Sequence, residues 1–160
     1  KKINVYADKI TLSYLKNNFS YYFNDEIEYP AILNGNKLKS NFSLGSKKEL
    51  IKFKSIKVRH GKINSIGYIF GNTAYISDCN ELSNSNLNKL KNLKYFIIDC
   101  LRFNPHPSHF SLSEVLDNLR KIKPANTILT NLHSDLDYNI LLQKLPINVK
   151  PAFDGLKIQL

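Results

Sequence analysis

The chain contains no methionine, only two cysteines and only four histidines in 160 residues. Without a methionine, Lys1 is not a retained start residue. KKINVYAD already reads as a strand, so the chain is expected to be the later part of a longer protein. Cys79 and Cys100 make no disulfide framework. Each stands at or just past the end of an apolar run, so both are expected as buried reduced thiols acting as small hydrophobes. A metal thiolate at Cys79 is the minor alternative. No stretch approaches the roughly 18 apolar residues of a membrane span. No charged n-region followed by an apolar h-region marks a signal peptide. A soluble, cytoplasmic protein with no membrane partner is expected. There is no arginine-rich run and no RNA-binding aromatic signature. The net charge of +10 and pI of about 9.5 suit an anionic partner. The lysines are scattered, however, and the abundance of Lys, Asn and Ile also fits an AT-rich genome. Nucleic acid is therefore the weaker reading, and a small phosphorylated substrate fits the field.

What is present indicates one domain with a sizeable core. INVYAD reads as a strand, and Ile10 to Phe23 carries apolar residues at a mostly helical spacing. Residues 24–48 are polar and broken by Pro30, Gly35 and Gly45, a long connection with room for short strands. ELIKFKSIKVRHG alternates as a half-buried strand. SIGYIFGNTAYISD reads as two strands around Gly71-Asn72. Leu87, Leu90 and Leu93 give Ser83 to Leu93 a helical spacing. YFIIDC and NTILTNL are continuous apolar runs of buried strands. SLSEVLDNLRKIKP is a helix, opened by the capping pair Ser111 and Glu114 and closed before Pro124. A short helix follows around Asp137 to Leu145, and VKPAFDGLKIQL is expected to form a terminal strand pair. Strands first, then strand alternating with helix, predict an α/β layered domain.

The chemistry gathers at strand ends. TAYIS runs into Asp78. YFIID ends in Asp99 and leads to RFNPHPSHFSL, which holds His106 and His109. TILTN leads to His133, and His60 closes its own strand before Gly61. In α/β sheets, ligands bind beyond the carboxyl ends of the strands. If these strands are parallel neighbours, Asp78, His109 and His133 converge. His and Asp donors suit Zn²⁺, or Mn²⁺ with more oxygen ligands. Two such ions about 3.5–4 Å apart would clamp a phosphodiester. The alternative is that these histidines cap strands and bond backbone carbonyls.

The ordered stretches VYAD, VRHG, GYIFGNTAYISD, LKYFIIDCLRFNPHPSHFSL, ILTNLHSDLDY and FDGLKIQL together resemble the metallo-β-lactamase superfamily. They are most similar to its phosphoribosyl 1,2-cyclic phosphate phosphodiesterase branch. The resemblance covers essentially the whole chain. It implies the C-terminal portion of an αββα sandwich, a single partial domain over 1–160, with two divalent ions, Zn or Mn. It implies His60 as a metal ligand, Asp78 as the bridging carboxylate, and His109 as a phosphate contact or general acid. In the pattern LTH-x-x-H-D-L-D the last ligand falls on Asn131, with His133 two residues later. His133 is the expected ligand, and Asn131 the alternative. His106, stiffened between Pro105 and Pro107, reads as a rim residue with substrate contact next, and Arg102 is a further substrate contact.

Asp99 is expected to hold backbone or Arg102. Asp154 and Gly155 are expected in a turn. The family's H-x-H-x-D-H signature is nowhere in these residues, so the 160 residues alone are expected to be inactive. The expected activity of the complete protein is metal-dependent hydrolysis of a small cyclic phosphate, with a metal-activated hydroxide as nucleophile. The expected partners are a small phosphorylated substrate and, for assembly, a second copy in a homodimer. Two alternatives stay open: a non-catalytic member that binds phosphate or a partner, and a nucleic-acid-processing relative.

Overall fold

The computed structural model describes residues 1–25, 29–46 and 49–159. Its backbone falls into two compact units, residues 1–42 and 43–160. In the first, Ile3–Ala7 (β1) and Leu33–Lys37 (β2) pair in parallel. Between them Lys9–Asn18 forms α1, followed by a 3-10 turn at Ser20–Tyr22. Asp8 starts the helix. Its carboxylate accepts from the Ile10 amide at 2.8 Å and the Thr11 amide at 3.2 Å. Those donors would otherwise be unpaired in a first turn. The polar 24–48 connection yields β2 and Asn41–Ser46 (β3). Its residues 26–28 and 47–48 lie outside the described residues, as does Leu160.

The remaining strands are Glu49–His60 (β4), Ile63–Phe70 (β5), Thr73–Ile76 (β6), Tyr95–Asp99 (β7), Asn126–Thr130 (β8) and Val149–Pro151 (β9). They join β3 in a seven-stranded sheet of order β3-β4-β5-β6-β7-β8-β9. β4, β5 and β6 are antiparallel neighbours, whereas β6 through β9 run parallel. Each parallel step needs a crossover. Helices Asn84–Lys89 (α2), Leu112–Ile122 (α3) and Tyr138–Lys144 (α4) supply them. Two reversals, β4 to β5 and β5 to β6, return β4 to the direction of β6. The carboxyl ends of β4, β6, β7 and β8 therefore share one edge.

The main core follows from alternation along the strands. Ile56 and Val58 of β4, Ala74 and Ile76 of β6, Phe96 and Ile98 of β7, and Leu129 of β8 cluster with Val115, Leu119 and Ile122 of α3 and Leu141 of α4. Phe96 is fully buried, and truncating such a phenylalanine to alanine costs about 3–5 kcal/mol. In α3, Glu114 Oε2 takes both the Ser111 amide at 2.8 Å and the Ser111 hydroxyl at 2.5 Å, closing the expected cap.

Two expectations need correction. α2 ends at Lys89 instead of reaching Leu93; Leu90 leaves helical geometry and Asn92 takes a left-handed φ of 61°. Among the described residues, the expected terminal strand pair is β9 alone. Pro151 has no N–H to extend a ladder, and beyond it Leu156 N bonds Phe153 O in a turn through Gly155, φ 90°.

Candidate metal centre at the carboxyl edge of the sheet

The shared edge gathers the polar residues. His60 is the last residue of β4. Asp78 stands two residues past β6, and Asp99 ends β7. The loop from Leu101 to Phe110 brings His109 back over this edge. Its neck is closed by the Leu101 amide on the Phe110 carbonyl at 2.9 Å and the Leu112 amide on the Arg102 carbonyl at 3.0 Å. Buried Phe110 anchors it. Arg102 spends its guanidinium inside the loop, on the carbonyls of Asn104 at 3.2 Å and Pro105 at 2.8 Å.

His60, Asp78 and His109 each offer a ligand atom, and these atoms lie within 4.8 Å of one another. His60 Nε2 and His109 Nε2 face each other at 3.3 Å. The Ser77 hydroxyl donates to Asp78 Oδ2 at 2.7 Å, and the Ser65 hydroxyl donates to the Asp78 carbonyl. Behind His109 stands Asp99, whose side chain is fully buried. Its Oδ2 lies 2.8 Å from His109 Nδ1 and accepts the Cys79 amide at 3.0 Å. Its Oδ1 accepts the Asn131 amide at 3.0 Å.

Burial pushes the Asp99 carboxyl above its usual pKa, opposed by the Cys79 N–H, the Asn131 amide and His109. With Nδ1–H directed at Asp99, His109 leaves the Nε2 lone pair turned toward His60. A carboxylate behind a ring N–H is the arrangement that orients a metal-binding histidine.

The donor set fits a divalent ion. Two imidazole nitrogens held about 2.0–2.1 Å from one tetrahedral ion lie about 3.3–3.4 Å apart, the separation seen here. Two lone pairs facing at that distance repel unless a proton or a cation sits between them.

The other expected residues lie differently. His133 Nδ1 meets Asp135 Oδ1 at 3.0 Å on the exposed surface, outside the group. Asn131 serves Asp99. His106 lies beside the group, its ring 5.2 Å from that of His109, with its Nδ1 3.3 Å from the Ser108 amide. Partial burial and then the charge of Arg102 depress the His106 pKa. The amino end of α3 receives the Glu114 carboxylate. Sequence reasoning missed Asp99 as the partner of His109. The available signal was a carboxylate closing an apolar run, since a buried carboxylate demands several donors.

Residues 1–131 match the Beta-lactamase superfamily domain. The chain belongs to this superfamily. Among solved structures, a diphosphatase of the PhnP family aligns with all of this chain and 59% of its own, at 27% identity and a TM-score of 0.85. Zn(2+)-bound PqqB from Methylobacterium extorquens aligns with all of this chain and 66% of its own, at 11% identity and a TM-score of 0.73. Human tRNase Z, short form, aligns with 99% of this chain and 68% of its own, at 11% identity and a TM-score of 0.64. Among curated proteins, an octanoyltransferase of Porphyromonas gingivalis (strain ATCC BAA-308 / W83) is 27% identical over 105 residues, 64% of this chain and 21% of that protein. The chain thus spans about three fifths of the diphosphatase and about a fifth of the octanoyltransferase. The large mixed sheet is that of the metallo-β-lactamase fold. No helix of the described residues is long and apolar enough to cross a membrane.

Proposed function

We propose that the complete protein is a metal-dependent phosphodiester hydrolase acting on a small phosphorylated substrate such as a phosphoribosyl 1,2-cyclic phosphate. The convergence of His60, Asp78 and His109 donor atoms within 4.8 Å carries the reading. The likeness to a diphosphatase at 27% identity supports the phosphorus chemistry. His60, Asp78 and His109 hold a divalent ion, zinc or manganese. When bound, such an ion brings the pKa of a water near neutrality and offsets phosphoryl charge. Asp99 keeps His109 in the Nδ1–H tautomer. Ser77 orients the Asp78 carboxylate. His106, on the rim beside His109, meets the substrate phosphate. Arg102 shapes the loop that carries both histidines.

In this reading His109 is a ligand as well as the phosphate-facing residue that the resemblance implies; the nearness of its Nε2 to His60 Nε2, 3.3 Å, supports it. Metal analysis and hydrolysis of bis(p-nitrophenyl) phosphate by the complete protein test this. His109→Ala should lower zinc affinity by more than the roughly 10–100-fold of an outer-shell change. His133→Ala should keep both metal and turnover. Metal retained in His109→Ala but lost in His133→Ala would refute the ligand set.

A second reading, a non-catalytic member that binds phosphate, draws on one observation: Asn131 stands where the resemblance expects the last ligand and donates to Asp99. That reading predicts no metal-dependent turnover by the complete protein.

A further inference from the structure

Asn80 makes three bonds that meet both flanks of His60 and the approach to His109. Its backbone amide donates to the Arg59 carbonyl at 2.9 Å. Its Oδ1 accepts the Gly61 amide at 2.8 Å. Its Nδ2 donates to the Pro107 carbonyl at 3.3 Å. Arg59 and Gly61 bracket His60, and Pro107 is two residues before His109. Asn80 itself follows Asp78 by two residues. One residue therefore references all three members of the group to each other, and its side chain alone joins the turn after His60 to the loop before His109.

The two loops also touch directly. A Cβ built on Gly61 would lie 3.0 Å from Ser108 Cβ and 3.5 Å from the Pro107 carbonyl oxygen. Gly61 has φ +58°, which suits glycine. The turn after β4 and the histidine loop thus meet with no room for a side chain between them.

We propose that Asn80 is a positioning residue that sets the separation of the His60 and His109 imidazoles by riveting the turn after β4 to the loop before His109. The role needs an acceptor and a donor on one short planar group. Aspartate offers only acceptors and would turn a negative oxygen on the Pro107 carbonyl. Alanine offers neither. The proposal rests on the reading of His60 and His109 as partners at one ion, and adds what fixes their spacing.

Asn86 is the matched control. It is a buried asparagine of α2 whose Nδ2 donates to the Lys57 carbonyl of β4 at 2.9 Å, a bond to neither of the two loops. The experiment uses the complete protein with Asn80→Ala, Asn80→Asp, Gly61→Ala and Asn86→Ala. The first readout needs no metal: the nuclear Overhauser cross-peak between the His60 and His109 rings, whose centroids lie 4.7 Å apart. The second is zinc affinity by chelator competition.

Asn80→Ala should abolish the cross-peak and weaken zinc binding about 10-fold or more. Asn80→Asp, which keeps the tie to Gly61, should fall between. Gly61→Ala and Asn80→Ala should be non-additive, because they loosen one contact. Asn86→Ala should lower the melting temperature yet leave both readouts as in the parent chain. The proposal is overturned if Asn80→Ala leaves the cross-peak intact, if Asn86→Ala erases it equally, or if the parent chain lacks it. A parent chain that shows the cross-peak but binds no zinc sinks the metal reading alone, and the cross-peak series still decides the role of Asn80.

Discussion

Single residues at this edge are set by burial. Cys79 and Cys100 are fully buried, as expected from their places at the ends of apolar runs. Burial pushes both thiols up to about 12. An unfolded thiol titrates near 8.5. The folded state therefore keeps two protons that the unfolded state releases above that pH. Their stabilising contribution is complete below about 8.5 and declines as pH rises toward 12. Melting temperatures followed from pH 8 to 11 should fall progressively, and less steeply in Cys79→Ala/Cys100→Ala. At neutral pH neither thiol should react with an aromatic disulfide reagent until denaturant is added. Fast labelling of the native chain would contradict the burial. Asp99, between the two, shows what local reading misses. Its position as a buried strand end is legible, but its three donors come from the loop after β6, the loop beyond His106, and the end of β8. No periodicity in the sequence links those segments.

At the scale of elements, legibility tracks how local the cause is. β7 and β8 are readable because a fully buried strand is a continuous apolar run, and α3 because its cap lies within four residues. β2 and β3 hide in a polar stretch, because LNGNK and NFSLGS have little side-chain patterning and owe their strand character to backbone pairing. The terminal pair failed because a strand needs a partner, and patterning cannot say whether one exists. Substitutions at two positions probe the legible elements. Gly67 in β5 lies opposite Ile56, and a Cβ there would come within 2.7 Å of Ile76 Cγ1 and 3.2 Å of Ile56 Cγ1. Gly67→Ala should destabilise the chain by about 1–3 kcal/mol through overpacking, measured by urea unfolding. Glu114→Ala removes the carboxylate from the start of α3 and should cost about 1 kcal/mol in the same assay. Glu114→Gln should recover much of it.

Across the whole molecule, strand-helix alternation pointed to a common edge on the condition that the strands are parallel neighbours, whereas the sheet order and the division into two compact units were not legible. No composition shift marks residue 42. Apolar exposure is high in places: Ile10 and Tyr14, one helical turn apart on α1, are 81% and 61% exposed. Apolar side chains at that spacing share one face, and exposed apolar patches mediate association. The 160-residue chain should self-associate with concentration in sedimentation experiments, and Ile10→Lys with Tyr14→Lys should shift it toward monomer. An unchanged distribution would exclude this face. The edge where β4, β6 and the histidine loop meet has a consequence of another kind. His60 and His109 are 49 residues apart in the chain. A cation shared between them is a clasp across a long loop, with no counterpart in the unfolded chain. At 100 times its dissociation constant it would contribute about 2.7 kcal/mol to folding. The atoms proposed to hold the ion would then also latch the assembled sheet, because an ion could be shared only once β4, β6 and the histidine loop have met.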